Sequence, residues 1–501
     1  MTLQELLTPE LLKHLPSQAE GKQVWLVGGA VRDHFLQRQS LDLDFVVAGD
    51  ALSLARRVAD GLGGKYYTLD LERGAGRVLV SLPGGEERIL DFTRMQGSDL
   101  QEDLGLRDFT INALALDPHH LDELIDPEGG LKDLKDALLR ACRSDSLKRD
   151  PVRALRAVRI ASEIEARIDA DTIEQIKGAR ALLIDVSAER LRDEIFRMLE
   201  NQQPARPLRL LEHLSIFDIL FKEISNPATE GSYRGDFYEI TQKALDVISR
   251  LGELFQILAP VHDPEAAADL TLGFTAIRLG RYRQSLSDYL GTELSSGRTQ
   301  KAWILLGCLF STYVYQYFDD AHNMSSEGLD IKSARFAATA WTERYHVSRK
   351  ETMWLDRFLD VRVPQLPSTP GGERDLQIYR YFQQTQNAGP GLIFSDLAGF
   401  LVDSDGPPSE EQWESRVGNA FYFLEAYFER KDDVVDVEPL LSGEDIISAF
   451  NLQPGPMIGD LLQRLVEIQV AEKINTRDQA LDSIRDMLAG KPEDSIGSNK
   501  Q

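Results

Sequence analysis

Residues 24–47 read VWLVGGAVRDHFLQRQSLDLDFVV, and this stretch decides the fold of the N-terminal region. The apolar run from Val24 to Val27 ends at a pair of glycines, and a helical pattern follows. A second apolar run begins at Asp42 and reaches Val47. Short apolar runs bounded by glycine or polar residues are typical of strands. We therefore expect a strand, a glycine turn, a helix and a second strand.

The mixed pattern continues to about residue 120. Residues 51–62 have a helical pattern, and strand-like runs separated by Gly-rich turns follow at 66–69, 77–82 and 88–93. After about residue 130, amphipathic helical patterns replace nearly all strand signals. The sequence thus predicts an α+β protein with a mixed α/β region first and an all-α region after it.

Composition excludes several classes of protein. The 501 residues include 81 acidic and 56 basic side chains, giving a net charge of −25, and 42% of them are hydrophobic. Such a chain can form cores and is neither disordered nor collagen-like. Cys142 and Cys308 are too few for a disulfide framework or a cysteine-built zinc site. The acidity disfavours non-specific polyanion binding, so a nucleic-acid partner would need a locally basic surface.

Membrane and secretion signals are missing from the sequence. It has no run of about 18 apolar residues, and its first five residues show no signal-peptide pattern. We therefore expect a soluble, cytoplasmic protein with no membrane partner. The sequence gives no indication of the oligomeric state.

Two carboxylates carry the chemistry that the N-terminal region suggests. Asp42 and Asp44 are two positions apart on a predicted strand, so both side chains leave the same face. Neighbouring carboxylates repel each other unless a cation lies between them, and Mg²⁺ prefers such ligands when it also holds phosphates. Two metal ions there could activate a hydroxyl and stabilise a leaving pyrophosphate. A solvated strand edge is the alternative interpretation.

The glycine turn suggests an anion site. Gly28 and Gly29 follow a strand and open a helix, which presents backbone N–H groups and the positive end of the helix dipole. A tight turn without a ligand would use the same residues. Arg32 and Asp33 lie early in this helix, and a local ion pair between them is the simplest explanation of both.

The two segments together resemble the first signature of the class II tRNA nucleotidyltransferases, a family that contains the CCA-adding enzymes and the bacterial poly(A) polymerases. The segments that match this signature are LVGGAVRD at 26–33 and LDLDFVV at 41–47. Four further family motifs recur in order, as RDFTINALA at 107–115, DPEGGLKDL at 126–134, DPVRALRAVR at 150–159 and ERLRDE at 189–194. Five ordered matches make coincidence very unlikely.

The resemblance implies a polymerase-β-like nucleotidyltransferase head with a mixed sheet, followed by an all-α neck, body and tail. We place the head at 1–138, the neck with base recognition at 139–224, the body at 225–365 and the tail at 366–501. Segments rich in Pro, Gly, Ser or Asp at 225–236, 364–374 and 403–411 are candidate linkers. The polar end, 491–501, is expected to fray.

The resemblance also assigns site residues. It implies that Asp42 and Asp44 are catalytic and bind two Mg²⁺ ions. Asp91, on a neighbouring predicted strand, is either a third carboxylate of the site or an ordinary exposed strand residue. The resemblance also implies a set of residues that bind the triphosphate, the sugar or the base of the nucleotide. These are Gly28, Gly29, Arg32, Arg107, Asp108, Asn112, Asp150, Arg153, Arg156 and Arg159.

Structural roles could explain several of these residues without a ligand. Asp150 is a good N-cap for a helix that starts at Pro151, with Arg153 in pairing distance. Asp108 could cap a helix that contains Asn112. Arg156 and Arg159 could lie on a solvated helix face.

The sequence departs from the family pattern at three places. Leu106 stands where the family usually has a first arginine, and Arg149 stands where it usually has a glutamate. Only seven residues, 95–101, separate Arg94 from Glu102, whereas CCA-adding members have a longer flexible loop there. Loss of that loop resembles the CC-adding branch.

The implied function is template-independent addition of C and/or A, from CTP or ATP, to the 3′ end of tRNA. The short loop favours CC addition, and full CCA addition stays open. The alternatives are a non-catalytic or divergent RNA-binding paralogue and a poly(A) polymerase that acts on other RNAs.

Overall fold

The computed structural model describes residues 7–16, 23–38, 40, 42–81, 87–225, 237–261, 270–295, 297–321, 330–367, 369–403 and 408–489. Packing divides the chain into two compact units, Met1–Ile195 with Leu210–Leu220, and Phe196–Arg209 with Phe221–Gln501. Most of the predicted linker at 225–236, and all of the predicted frayed end at 491–501, lie outside the described residues.

The first unit contains a seven-stranded sheet in the order β3-β4-β5-β2-β1-β6-β7. Strands β2 and β5 run parallel, and the other neighbouring strands run antiparallel. The mixed sheet and the helical remainder confirm the predicted α+β class. The strands are β1 (Gln23–Val27), β2 (Asp42–Ala48), β3 (Lys65–Asp70), β4 (Ala75–Ser81), β5 (Glu87–Arg94), β6 (Ala115–Asp117) and β7 (His120–Ile125).

Alternation along β2 separates the core face of the sheet from its open face. Leu43 and Phe45 are 0% and 1% exposed, and Phe45 stacks on Phe92 of β5 with ring centroids 4.9 Å apart. The helix Ala51–Leu62 covers this face and buries its own apolar stripe there. Because side chains alternate along a strand, Asp42 and Asp44 point to the opposite face.

Short helices surround and follow this sheet in the first unit. A short parallel pair, β8 (Leu138–Leu139) and β9 (Arg167–Ile168), lies among them. The helices are α1 (Pro9–His14), α2 (Gly29–Phe35), α3 (Ala51–Leu62), α4 (Leu100–Gly105), α5 (Gly130–Lys135), α6 (Ser146–Arg149), α7 (Arg153–Glu163), α8 (Ala170–Ala179) and α9 (Ala188–Leu199), with 3₁₀ turns at Thr110–Asn112 and Arg180–Asp185.

In the described residues after α9, the regular secondary structure is helical apart from the ribbon β10 (Glu293–Ser295) and β11 (Arg298–Thr299). None of the helices in the described ranges combines the length and apolar character needed to cross a membrane. The helices are α10 (Ala205–His213), α11 (Phe217–Leu220), α12 (Lys222–Ser225), α13 (Phe237–Ile257), α14 (Leu270–Leu279), α15 (Arg283–Gly291), α16 (Gln300–Ala321), α17 (Asp330–Arg344), α18 (Arg349–Asp360), α19 (Gly372–Thr385), α20 (Gly389–Asp403), α21 (Glu410–Glu429), α22 (Gly443–Phe450), α23 (Pro456–Glu472) and α24 (Arg477–Leu488).

One buried carboxylate ties α18 to the ribbon in the second unit. Glu351 is 0% exposed and forms a capping box with Ser348. Its Oε1 accepts hydrogen bonds from Arg298 Nε at 2.7 Å and Ser295 Oγ at 2.6 Å. Burial opposes ionisation, but these partners prevail and lower the pKa of Glu351 to about 2.

This ion pair should make stability depend on pH. The folded-state pKa of Glu351 lies below the ordinary value of 4.5, so its contribution is complete above pH 4.5 and is lost as the pH falls towards 2. We expect Glu351→Gln to destabilise the protein by about 2 kcal/mol at pH 7, and much less at pH 3. Urea unfolding of both proteins at the two pH values measures this, and an equal difference at both would contradict it.

Candidate active site

The carboxylate pair lies at the centre of the open face of the sheet. Asp42 and Asp44 are both exposed on β2, and Asp91 of β5 lies directly opposite Asp44 in the parallel register. Asp91 is held by Arg77 of β4, whose Nε and Nη2 each donate to its carboxylate at 2.8 Å. The structure thus brings three carboxylates together, as the sequence suggested, and one of them is already neutralised by an arginine.

The electrostatics of Asp44 show why a cation fits here. Its side chain reaches solvent, yet protein atoms crowd it on most sides, as at the floor of a cleft. This desolvation raises the pKa of Asp44 to about 6, Arg107 lowers it, and the charges of Asp91 and Asp42 raise it again. The surrounding protein therefore leaves the negative charge of Asp44 incompletely balanced, which a bound cation would relieve.

Asp42 and Asp44 could supply only part of the coordination sphere of a metal ion. Within the described ranges, the structure shows no group of three or more His, Cys, Asp or Glu side chains arranged to hold a metal ion. Two carboxylates that leave most of the coordination sphere to water and phosphate suit Mg²⁺, which dehydrates reluctantly and is commonly bound in this way.

The glycine turn touches the carboxylate pair. Gly28 ends β1 with φ +78°, and a Cβ at this position would lie 3.3 Å from Asp44 Oδ2 and 3.4 Å from Arg107 Nη1. The backbone therefore approaches both side chains as closely as only glycine allows. Arg107 also lies 3.5 Å from the buried Asp103, which holds its guanidinium beside the turn.

A chain of polar contacts joins three of the motifs. Arg32 pairs with Asp33 at 2.8 Å, as the simpler interpretation predicted, and also donates to Asn112 Oδ1 at 2.9 Å. Asn112 Nδ2 donates in turn to Asp108 Oδ1 at 3.1 Å. Asp108 is buried and lies 2.8 Å from Arg156. Burial opposes its ionisation, but Arg156 and Asn112 keep the pKa of Asp108 below its usual value.

Asp108 does not cap a helix, contrary to the alternative suggested by the sequence. Asn112 does lie in a 3₁₀ turn, but the N-cap of that turn is Phe109, whose N–H donates to Asp108 Oδ1 at 2.9 Å. The side chain of Asp108 is instead occupied by this N–H, by Asn112 and by Arg156.

The expected cap at Asp150 is also wrong. Helix α7 begins at Arg153 with Val152 as its N-cap, and no side chain caps it. The turn before it closes through backbone bonds, including Arg153 N–H to the Asp150 carbonyl at 3.0 Å. Asp150 instead accepts from Arg190 Nη2 at 2.8 Å, so its carboxylate is held by an arginine rather than by a helix end.

Arg153 is fixed from several directions. Its Nη1 donates to Ser146 Oγ at 2.6 Å and to the Arg107 carbonyl at 3.1 Å, and its Nη2 donates to the Leu106 carbonyl at 3.1 Å. Its Nε lies 3.9 Å from Asp150 Oδ2, which confirms the predicted pairing distance. This arginine therefore connects the second motif to the fourth and orients Asp150.

Arg159 lies in a different environment from the rest of the candidate set. It donates to Glu194 at 2.7 Å and to Glu163 at 2.9 Å, and is 13% exposed. Burial opposes the charge, but the two glutamates raise the pKa of Arg159 above its usual value. These bonds join α7, on which Arg159 lies, to Glu194 of α9, and the predicted contact of Arg159 with nucleotide remains a prediction.

Sequence reasoning missed the partners that hold these residues. Arg190, Asp103 and Ser146 each contact a candidate residue, and none was singled out for that role. Arg190 belongs to the ERLRDE motif at 189–194, none of whose residues was named as a site residue. The pairing of Arg190 with Asp150 could not be predicted, because the two residues are 40 positions apart and local patterns carry no pairing information at that separation.

The segment after β5 is short and tightly bonded. Only residues 95–99 separate Arg94 from α4, because the helix already begins at Leu100. Ser98 N–H donates to Glu102 Oε2 at 2.8 Å, and Asp99 caps α4 by accepting from Glu102 N–H at 2.8 Å. A segment fixed in this way has little freedom to reorient.

Family models match two parts of the chain. A model described as "Poly A polymerase head domain" matches residues 24–140, and one described as "Probable RNA and SrmB- binding site of polymerase A" matches residues 167–226.

Curated relatives match nearly the whole chain. The chain is 43% identical to a CC-adding tRNA nucleotidyltransferase of Geobacter sulfurreducens over 94% of its own length and 93% of the relative's. It is 29% identical to an A-adding tRNA nucleotidyltransferase of Deinococcus radiodurans over 91% of this chain and 93% of the relative. The fold is similar to that of a Thermotoga maritima CCA-adding enzyme solved in complex with tRNA, with a TM-score of 0.53, 20% identity and coverage of 97% and 99% of the two chains.

The two glycines of the turn should respond differently to substitution. Gly28→Ala forces a side chain into a left-handed conformation beside Asp44 and Arg107, so we expect a loss of about 1–2 kcal/mol and a Tm lower by a few degrees. Gly29→Ala is the matched control. Its Cβ would meet nothing nearer than Arg32 Nη2 at 3.8 Å, and alanine favours the first turn of α2. Equal Tm values for the two variants would contradict the close approach at Gly28.

Proposed function

This chain belongs to the family of tRNA nucleotidyltransferases and poly(A) polymerases, and from that membership we propose that it adds cytidines to the 3′ end of tRNA. The chain is therefore an enzyme of the nucleotidyltransferase type. We further propose that the addition stops after CC, that CTP is the nucleotide donor, and that the enzyme acts in the cytoplasm, where a tRNA substrate would be met.

The observation that carries the choice of CC is the bonded segment at 95–99. An enzyme that switches from CTP to ATP needs a part of the site that can reorient, and here Ser98 and Asp99 fasten the segment to Glu102. The relative with 43% identity is a CC-adding enzyme, and the one with 29% identity adds A. The bonded segment supports CC addition over complete CCA synthesis, and the higher identity to the CC-adding relative supports CC addition over A addition.

Members of this family use a divalent metal ion, and Asp42 and Asp44 fit that need. We propose these two carboxylates as ligands of two Mg²⁺ ions, with Asp91 occupied by Arg77. The unbalanced charge at Asp44 and the close approach of Gly28 are the features that fit a cation held together with a triphosphate. When bound, Mg²⁺ supplies Lewis-acid stabilisation of the phosphates and of the attacking hydroxyl.

The protein's own residues position the nucleotide. We propose that Gly28, Gly29 and Arg107 hold the triphosphate, because the turn presents N–H groups and the guanidinium lies next to it. Arg32 and Asn112 act through the contacts that hold the turn and the 3₁₀ segment together. The buried Asp108, with Arg156 beside it, faces the sugar.

Base selection is assigned to Asp150 with Arg153. A carboxylate acceptor favours cytosine or adenine, which carry an amino donor on the base edge, over uracil or guanine, which carry a carbonyl oxygen there. Arg190 holds Asp150 at 2.8 Å, and a recognition group needs such fixed support.

The proposed division of the chain remains the head at 1–138, the neck at 139–224, the body at 225–365 and the tail at 366–501.

The function is tested by incubating the protein with Mg²⁺, tRNA that lacks its terminal CCA, and each labelled nucleotide in turn. We expect CMP incorporation that ends at CC, and no use of UTP, GTP or ATP. Products that end in CCA would overturn the choice of CC. AMP added only to tRNA that already ends in CC would assign the chain to the A-adding type, and long A tails would make it a poly(A) polymerase.

The carboxylate pair is tested by Asp44→Asn. We expect CMP incorporation to fall by at least about a thousand-fold, because a neutral amide cannot hold the metal charge against the triphosphate. The Tm should stay the same or rise slightly, since a repulsion between carboxylates is removed. Asp122→Asn, an exposed acid on β7, is the control and should leave incorporation unchanged. Activity retained in the Asp44 variant would exclude its assigned role.

A further inference from the structure

An exposed aromatic side chain lies at the edge of the sheet in the first unit. Tyr67 of the edge strand β3 is 48% exposed, and the nearby Leu69 and Leu71 are 51% and 76% exposed. We call these three side chains the edge patch. Three large apolar side chains exposed within five residues are more than scattered surface hydrophobics, and such patches commonly mark binding surfaces.

The strand register places Tyr67 on the same face as the carboxylate pair. Tyr67 lies opposite Arg77, Arg77 lies opposite Asp91, and Asp91 lies opposite Asp44. Residues directly opposite on neighbouring strands share a face of the sheet. Three strand spacings of about 4.8 Å separate Tyr67 from Asp44, so the tyrosine stands roughly 14 Å from it along the open face.

The side of the carboxylate pair away from Tyr67 is the side on which we have placed the triphosphate. Strands β5, β4 and β3 lie on one side of β2, and β1 with the Gly28 turn lies on the other. Arg107 and the triphosphate are placed at that turn. In phosphoryl transfer, the attacking and leaving oxygens are roughly in line, so the attacking 3′-hydroxyl comes from the side away from the leaving pyrophosphate. The RNA therefore reaches Asp44 over β5 and β4, and Tyr67 lies on this path.

The chemistry of this side suits single-stranded RNA. Unpaired bases stack on aromatic rings, and cations beside the ring meet the phosphates. Arg77 is engaged with Asp91, but Lys65 is exposed two positions before Tyr67 on the same face and places a cation beside the ring. We propose that Tyr67 is a positioning residue on which an unpaired nucleotide at the RNA 3′ end stacks, an inference that rests on the proposed function and names the substrate contact that it needs.

A second copy of the chain is the competing occupant, because an edge strand can pair with another strand. The backbone of β3 disfavours it. The register slips between Thr68 and Asp70, which leaves Leu69 as an extra, bulged residue, and the strand begins with an exposed lysine. Bulges and edge lysines are features that prevent strands from pairing edge to edge.

The test measures steady-state kinetics and RNA binding for Tyr67→Ala and Tyr67→Phe. We expect Tyr67→Ala to raise the KM for tRNA roughly ten-fold, the loss of one base–aromatic stack, while the KM for CTP and kcat stay within about two-fold. Tyr67→Phe keeps the ring and should behave as the unaltered enzyme. By fluorescence anisotropy, the ten-fold loss should appear for RNA with unpaired 3′ nucleotides and vanish for RNA trimmed to its last base pair.

Tyr66→Ala is the matched control, because this tyrosine is on the same strand but packs against the core on the opposite face. Tyr66→Ala should lower the Tm and leave RNA binding unchanged. Tyr67→Ala should weaken RNA binding and leave the Tm unchanged. Unchanged KM and affinity in Tyr67→Ala would overturn the inference, as would a change of oligomeric state as its main effect. If the unaltered protein incorporates no nucleotide, the proposed function fails, while the anisotropy comparison still decides the role of Tyr67.

Discussion

Mutual repulsion between two carboxylates on one strand is the constraint on which the rest of the site depends. Asp42 and Asp44 share a face because of strand alternation, and the sheet register brings Asp91 beside them. The fold relieves this repulsion only in part. Arg77 neutralises Asp91, while Arg107 only partly offsets the charge at Asp44. The charge at Asp44 is therefore only partly offset, which carries a cost when no cation is bound and agrees with the proposed metal site.

The surrounding residues form a connected support rather than a set of independent binding groups. Arg32, Asn112, Asp108 and Arg156 join the glycine turn, the 3₁₀ segment and α7 by contacts of 2.8–3.1 Å. Each of these groups is partly or fully buried, where an unpaired polar atom would be costly, so the chain of contacts has few alternative arrangements. One consequence is that the glycine turn and the start of α7 are positioned together.

Local periodicity predicted the strands, the glycine turn and the shared face of Asp42 and Asp44, because these properties depend on neighbours in sequence. It failed where a side chain has several competing partners. Asp150 has the residue type and position of an N-cap, but Arg190 and Arg153 bind its carboxylate instead. Similarly, the position of Tyr67 on the catalytic face follows only from the register of four strands. The site residues were found through motifs, whereas their partners needed the fold.

Two of the three departures from the family pattern, Leu106 and Arg149, become intelligible from the same contacts. Position 106 serves Arg153 through its backbone carbonyl, which leucine supplies as well as arginine would. The guanidinium of Arg149 pairs with Asp145 at 2.6 Å and its side chain is 59% exposed, so its charge is balanced at the surface. Neither change removes a contact that holds Asp150 or Arg153. What Leu106 does not supply is a second cation beside Arg107, so the proposed contacts of the triphosphate rest more heavily on Arg107 and on the turn.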